Sequence, residues 1–178
     1  MAQLEVLNID NAPESAKPIL SALTQKFGFL PNLAGVLANS PGALKAYVQL
    51  VEAWGATSFT PIEQNLLAVA VSRVNGCGYC AAAHSTLLKK VGADPDLIGA
   101  LAEGHPLADP KLEALRRFAT VMVEKRGQLD HERDVQPFLD AGYSREQILE
   151  VLIPVAMKTI GNFTNNIAHT PLDPQFGG

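Results

Sequence analysis

Residues Thr60 to His84 read TPIEQNLLAVAVSRVNGCGYCAAAH, and this stretch decides the fold. It opens with a helix start. Thr60 can cap, Pro61 suits the first helical position, and Glu63 stands three residues after the threonine, the spacing of a capping box. Leu66 to Val74 is almost wholly apolar, so this helix is expected to be buried on most sides. Asn75-Gly76 ends it, since both residues tolerate a left-handed helix C-terminus. A second helix is expected from near Cys77 to about Val91, before Gly92.

The helical pattern continues in both directions. Towards the N-terminus, Asn11-Ala12-Pro13-Glu14 reads as a helix start, with Ile19, Leu20, Leu23 and Phe27 on one face. Pro31 and Ser40-Pro41 punctuate two further short helices. Towards the C-terminus, Asp94-Pro95 opens one helix and Asp109-Pro110 a long one through Arg126. The stretch from Gly127 through Leu129 into Val135 is the expected soft boundary. Ser144 to Gln147 has capping-box spacing and begins a helix rich in Ile, Leu and Val. No period-two alternation persists, so the expected fold class is all-α. The expected organisation is one domain over residues 1–178, with pseudo-repeat halves of about 1–92 and 93–178. The repeat is faint: Glu63-Gln64 leads to Asn75-Gly76-Cys77 and Ala83-His84, and Glu146-Gln147 leads to Gly161-Asn162-Phe163 and Ala168-His169. Two buried amphipathic helices of similar composition would look the same.

Composition bounds the function. Of 178 residues, 47% are apolar, ample for a core, and the formal net charge is -4. A mildly acidic chain without a Lys/Arg cluster is a poor match for nucleic acid or an anionic membrane. The opening MAQLEVLNID lacks the basic start and apolar run of a secretory signal. No stretch approaches the roughly 18 continuous apolar residues of a membrane helix. The expectation is a soluble, cytoplasmic protein. In a reducing compartment, two close cysteines read as a reactive pair rather than a structural staple.

The only two cysteines lie within the opening stretch, as Cys77 and Cys80, with His84 four residues further on. Spacings of three and four put all three on one helical stripe, and Tyr79 points elsewhere. The sulfurs can close a disulfide, and His84 can take the Cys80 proton or stabilise its thiolate. The fitting chemistry is attack of a thiolate on an electrophilic oxygen or sulfur, with capture of the oxidised product by the second thiol. Zinc would need two of His84, His105, His131 and His169 to converge with the cysteines. A chance pair of buried thiols is the third reading, because cysteine is among the most buried residue types. No cofactor and no metal is expected. His105 and His131 are read as solvated, His169 as a helix cap, and Trp54 and Phe59 as core or subunit contact. Asn162, Asn165 and Asn166 are read as helix-end caps, with the redox pocket as the alternative.

Glu63 through His84 resembles the signature of the AhpD-like alkylhydroperoxidase and carboxymuconolactone decarboxylase superfamily. The resemblance extends to PNLAGVLANSPGALKAY and to the closing NFTNNIAHTPLD. It implies an all-helical bundle assembled as a homo-oligomer, a trimer or hexamer. It also implies a thiol peroxidase that reduces hydroperoxides and is re-reduced by a dithiol or lipoyl-type donor. Cys80 matches the attacking cysteine, Cys77 the resolving one, and His84 a histidine of the proton relay. Two positions depart from AhpD: Tyr79 replaces a histidine between the cysteines, and Asn65 stands where the relay glutamate is expected. Glu63 lies two residues earlier, about 200° away around a helix. Glu63 is a catalytic candidate if the helix is shifted, Glu150 is another, and the local reading of Glu63 is a cap. A helix N-terminus favours Cys77 as the more acidic thiol, whereas the His84 spacing and the resemblance favour Cys80, which is adopted here. The alternatives are a decarboxylase or lactone-handling enzyme of the same superfamily, and a non-enzymatic redox-sensing oligomer. A lactone substrate needs cationic groups, and Arg73 is the nearest to the motif.

Overall fold

The computed structural model describes residues 4–177, and among them every regular element is helical. Ten α-helices follow in order among these residues: α1 Lys17–Phe27, α2 Asn32–Leu37, α3 Pro41–Gly55, α4 Pro61–Val74, α5 Gly78–Lys90, α6 Pro95–Glu103, α7 Pro110–Glu124, α8 Gln136–Asp140, α9 Arg145–Glu150 and α10 Leu152–Ala168. A π turn over His131–Val135 precedes α8, and a 3-10 turn over Pro174–Phe176 closes the chain.

The opening stretch folds as its sequence directs. Thr60 and Glu63 form the reciprocal capping box, and Pro61 occupies the first turn. Leu66 to Ser72 are all buried, so α4 is the central helix and has no solvent face over this span. Gly76 takes φ +65°, a conformation open to glycine at little cost, and turns the chain into α5. α4 packs on α5, on α7 and on α10. A stack of Phe118, Phe138 and Tyr143 rings, with centroids 4.2 and 4.6 Å apart, fills the core beside α7 and α8. A second cluster gathers Leu20, Leu33, Leu37 and Leu44 from α1 to α3. No described helix is long and apolar enough to cross a membrane.

Four expectations are corrected. The helix expected at Asn11 begins only at Lys17; Asn8 and Asn11 instead hold a turn, the Asn8 side chain accepting from the Asp10 and Asn11 amides. The helix after Ser40 is not short: α3 runs for 15 residues. The helix from Ser144 is interrupted at Val151, because Pro154 lacks an N–H and crowds the carbonyl four residues back. The second copy of the faint repeat has no turn: Gly161-Asn162 lies inside α10, where Asn75-Gly76 separates two helices.

Candidate active site

Cys77 is the N-cap of α5, and its Sγ accepts from the Cys80 amide at 3.5 Å. Cys80 lies in the first turn and His84 one turn on. All three are buried, each exposed by less than a tenth. The structure therefore brings together three of the four catalytic candidates. It does not bring Glu63. Its carboxylate accepts from Thr60 N at 2.9 Å, Thr60 Oγ1 at 2.8 Å and Tyr143 Oη at 2.9 Å, with no bond to either cysteine or to His84. Glu150 is also committed elsewhere, accepting from the Ser58 amide and hydroxyl.

The position of the missing glutamate has a different chemistry. The Asn65 amide nitrogen donates to the Pro61 carbonyl at 2.9 Å. Its Oδ1 therefore faces His84 Nδ1, 2.9 Å away, and must accept. His84 consequently carries its proton on Nδ1 and presents a lone pair at Nε2. Lys158 of α10 donates to that Nε2. Burial, and then the Lys158 charge, push the imidazole well below its ordinary value, so His84 is neutral.

Lys158 is the residue that sequence reading missed. It is 1% exposed, and burial lowers its own proton affinity while the two sulfurs raise it. Its ammonium is the charge that acts on Cys80. A hydrogen bond from the Cys77 thiol, the Lys158 charge and bonds from Asn162 and Asn165 lower Cys80 below the ordinary thiol range, against the opposing effect of burial. Cys77 moves the opposite way, because it keeps the proton it shares with Cys80 and is partly desolvated. Asn165 donates to Cys80 Sγ at 3.3 Å and lies at 3.8 Å from Cys77 Sγ. Asn162 donates to Ser72 Oγ at 3.1 Å and accepts from Asn75 at 2.9 Å. Asn162 and Asn165 thus belong to the thiol pocket, correcting their reading as caps. One signal was available: Lys158, Asn162 and Asn165 are spaced four and three, a polar stripe on an apolar helix.

Cys80, but not Cys77, lines a cavity of about 470 Å³. His84 and Lys158 join it there, and the walls are apolar and aromatic, including Tyr47, Trp54, Met157 and Phe176. Trp54 is a cavity wall rather than plain core: its ring meets His84 edge-on, centroids 5.6 Å apart, and its buried Nε1 has no partner among the described residues. Tyr79 donates to Asp173, which also accepts from the Asn32 amide, so the closing segment is tied over α5. Arg73 donates to the Ala102 carbonyl, away from the cavity. His169 caps α10, and His105 pairs with Glu103 at the surface. Among the described residues no three His, Cys, Asp or Glu side chains converge as a metal would require.

Residues 41–121 match the model of the carboxymuconolactone decarboxylase family. That match contains Cys77, Cys80 and His84 and ends before Lys158, Asn162 and Asn165. No curated protein matches the chain. Among solved structures, the chain is similar to an uncharacterised peroxidase-related protein with an AhpD core from Ralstonia eutropha JMP134, with TM-score 0.86 and 21% identity over 98% of this chain and 93% of that one. A peroxidase-related protein from Silicibacter sp. TM1040 matches with TM-score 0.81 and 20% identity, over 99% and 94%. The debrominase Bmp8 matches with TM-score 0.80 and 20% identity, over 99% and 95%, and a Cys-to-Ala variant of it is known in complex with 2,3,4-tribromopyrrole. The match to the carboxymuconolactone decarboxylase family thus spans α3 to most of α7, and along its whole described length the chain shares the helical fold of the AhpD-core structure.

Proposed function

We propose that the protein is a thiol-dependent peroxidase, in which Cys80 attacks a hydroperoxide, Cys77 resolves the product and a dithiol or lipoyl-type donor restores both thiols. One observation carries the reading: of the two cysteines, Cys80 alone faces the cavity, and Cys80 alone is stabilised as a thiolate. Attack leaves Cys80 as a sulfenic acid. The Cys77 thiol behind it then forms the disulfide, and water leaves. Lys158 holds the thiolate by charge, while His84, fixed by Asn65, holds Lys158. A homo-oligomer, trimer or hexamer, belongs to the same reading. It is supported by a stripe of exposed apolar residues, Leu152, Phe163 and Ile167, on the side of α10 away from the thiols.

The test is peroxide consumption with several dithiol donors, dihydrolipoyl compounds included, followed by single turnover on two variants. Cys80→Ser is expected to abolish the first turnover. Cys77→Ser is expected to complete one turnover and stop as a sulfenic acid that a dimedone-type trap labels. A trapped adduct on Cys77 in Cys80→Ser protein would show the roles reversed.

A second reading has its own observation. The aromatic walls around Cys80 and the unpartnered Trp54 Nε1 suit a flat haloaromatic, the kind of molecule the debrominase variant binds. Such a substrate would exchange its halogen for a proton, releasing halide and leaving the two thiols as a disulfide. Halide release coupled to disulfide formation, without peroxide consumption, selects this reading. A lactone or decarboxylase reading has less support, because Arg73 is committed to the end of α6.

A further inference from the structure

α10 turns Lys158, Gly161, Asn162 and Asn165 to one side, the side of the thiols. Lys158, Asn162 and Asn165 act on Cys80 directly. Gly161 contributes an absence of side chain, and Tyr47 of α3 fills it. A Cβ at Gly161 would lie 3.1 Å from Tyr47 Cε2 and 3.6 Å from the Tyr47 hydroxyl oxygen. The phenol is therefore seated against the same helix face as Lys158 and Asn165, and it lines the same cavity as Cys80.

The polar neighbours are engaged: Lys158 with His84, Asn165 with Cys80, and Tyr79 with Asp173. The Tyr47 hydroxyl makes no hydrogen bond among the described residues. Burial and the two nearby sulfurs hold it protonated throughout the ordinary pH range. It is a proton donor on the wall of the cavity that also holds the reactive sulfur, open to whatever occupies that cavity.

We propose that Tyr47 is a catalytic residue of the Cys80 reaction, giving its proton to the oxygen that leaves when the thiolate attacks a hydroperoxide. The inference rests on the peroxidase reading. Cys80 Sγ bonds to the terminal oxygen, the O–O bond breaks, and its electron pair goes to the alkyl-bearing oxygen. The Tyr47 proton joins that oxygen, so the hydroperoxide is reduced to an alcohol. Cys80 is oxidised to the sulfenic acid, keeping the terminal oxygen and its hydrogen. The phenolate regains a proton from solvent. Cys77 then attacks the sulfenic sulfur, its proton leaving with the hydroxyl as water. Burial is the larger hold on the phenol's proton and persists, but the thiolate charge that adds to it disappears as the S–O bond forms, so the phenol becomes more acidic at that moment.

Tyr47→Phe removes an unbonded oxygen and orphans no partner, so the variant is expected to fold. Three rates on Cys80 separate the roles. Oxidation by tert-butyl hydroperoxide expels an alkoxide and needs a donor. Oxidation by peracetic acid expels a carboxylate and needs little help. Alkylation by iodoacetamide reads the thiolate alone. In Tyr47→Phe the first rate is expected to fall at least about 100-fold, the lower range for general-acid catalysis, with far smaller changes in the other two. Gly161→Ala, which pushes the ring away, is expected to give the same pattern. Equal losses in all three rates would reduce Tyr47 to a positioning residue, and no loss in the first would assign the proton to another group; either overturns the inference while the peroxidase reading stands. A wild-type protein that reacts with iodoacetamide but with neither peroxide overturns the peroxidase reading, and this inference with it.

Discussion

At the scale of single residues, the site turns on which group carries charge. His84 was expected to lower Cys80 directly; the structure makes it neutral and places the positive charge on Lys158. The direction for Cys80 follows from the sign: thiolate is the charged form, ammonium is its opposite charge, and removing the ammonium must raise the thiol. Lys158→Met is expected to move the midpoint of Cys80 alkylation up by about 1 pH unit or more. His84→Ala is expected to move it the same way by leaving the buried ammonium without an acceptor. Because one residue acts through the other, the double variant should match Lys158→Met alone. Additive shifts in the pH–alkylation profiles would mean that His84 reaches Cys80 by itself.

At the scale of elements, α4 shows a buried glutamate committed to stability. Glu63 holds the α4 cap and receives the Tyr143 hydroxyl, both in buried surroundings. Glu63→Ala removes the cap bonds and orphans a buried phenol, so it should cost about 1–3 kcal/mol. It should leave the pH midpoint of Cys80 alkylation where it was. Urea unfolding together with that midpoint checks both halves; a shifted midpoint with unchanged stability would return Glu63 to the relay. The helix from Ser144 breaks at Val151. α10 begins beyond it and carries Lys158, Asn162 and Asn165 to the thiols.

At the scale of the whole molecule, α10 has two faces with different tasks. One lies against the cysteines. The other exposes Leu152 at 44%, Phe163 at 50% and Ile167 at 71%, beside a groove lined by Met122, Val123 and Val155. Large apolar side chains gathered this way mark interaction surfaces. Phe163→Asp with Ile167→Lys is expected to shift the assembly towards monomer in light scattering at micromolar concentration. A wild-type protein that is monomeric under those conditions contradicts the oligomer outright.

The sequence by itself determined the all-helical class and the ends of α4, α5 and α7, because caps, prolines, glycines and apolar periodicity act within one or two turns. Thr60-Pro61-Ile62-Glu63, Asn75-Gly76 and Asp109-Pro110 each did in three dimensions what their local chemistry requires. It also placed Cys77, Cys80 and His84 together, since their spacing lies within one helix. The tertiary structure decided everything that depends on a distant element. Lys158 stands 78 residues from Cys80 along the chain, and the polar stripe it forms with Asn162 and Asn165 does not say which distant element it meets. Which ring nitrogen of His84 carries the proton depends on the direction of the Asn65 amide, which a bond to Pro61 dictates. The choice of Cys80 over Cys77 depends on which sulfur meets the cavity and the ammonium, a matter of how α10 and α3 pack on α5. Charge and burial act through space, and only the packed chain brings those neighbours within reach.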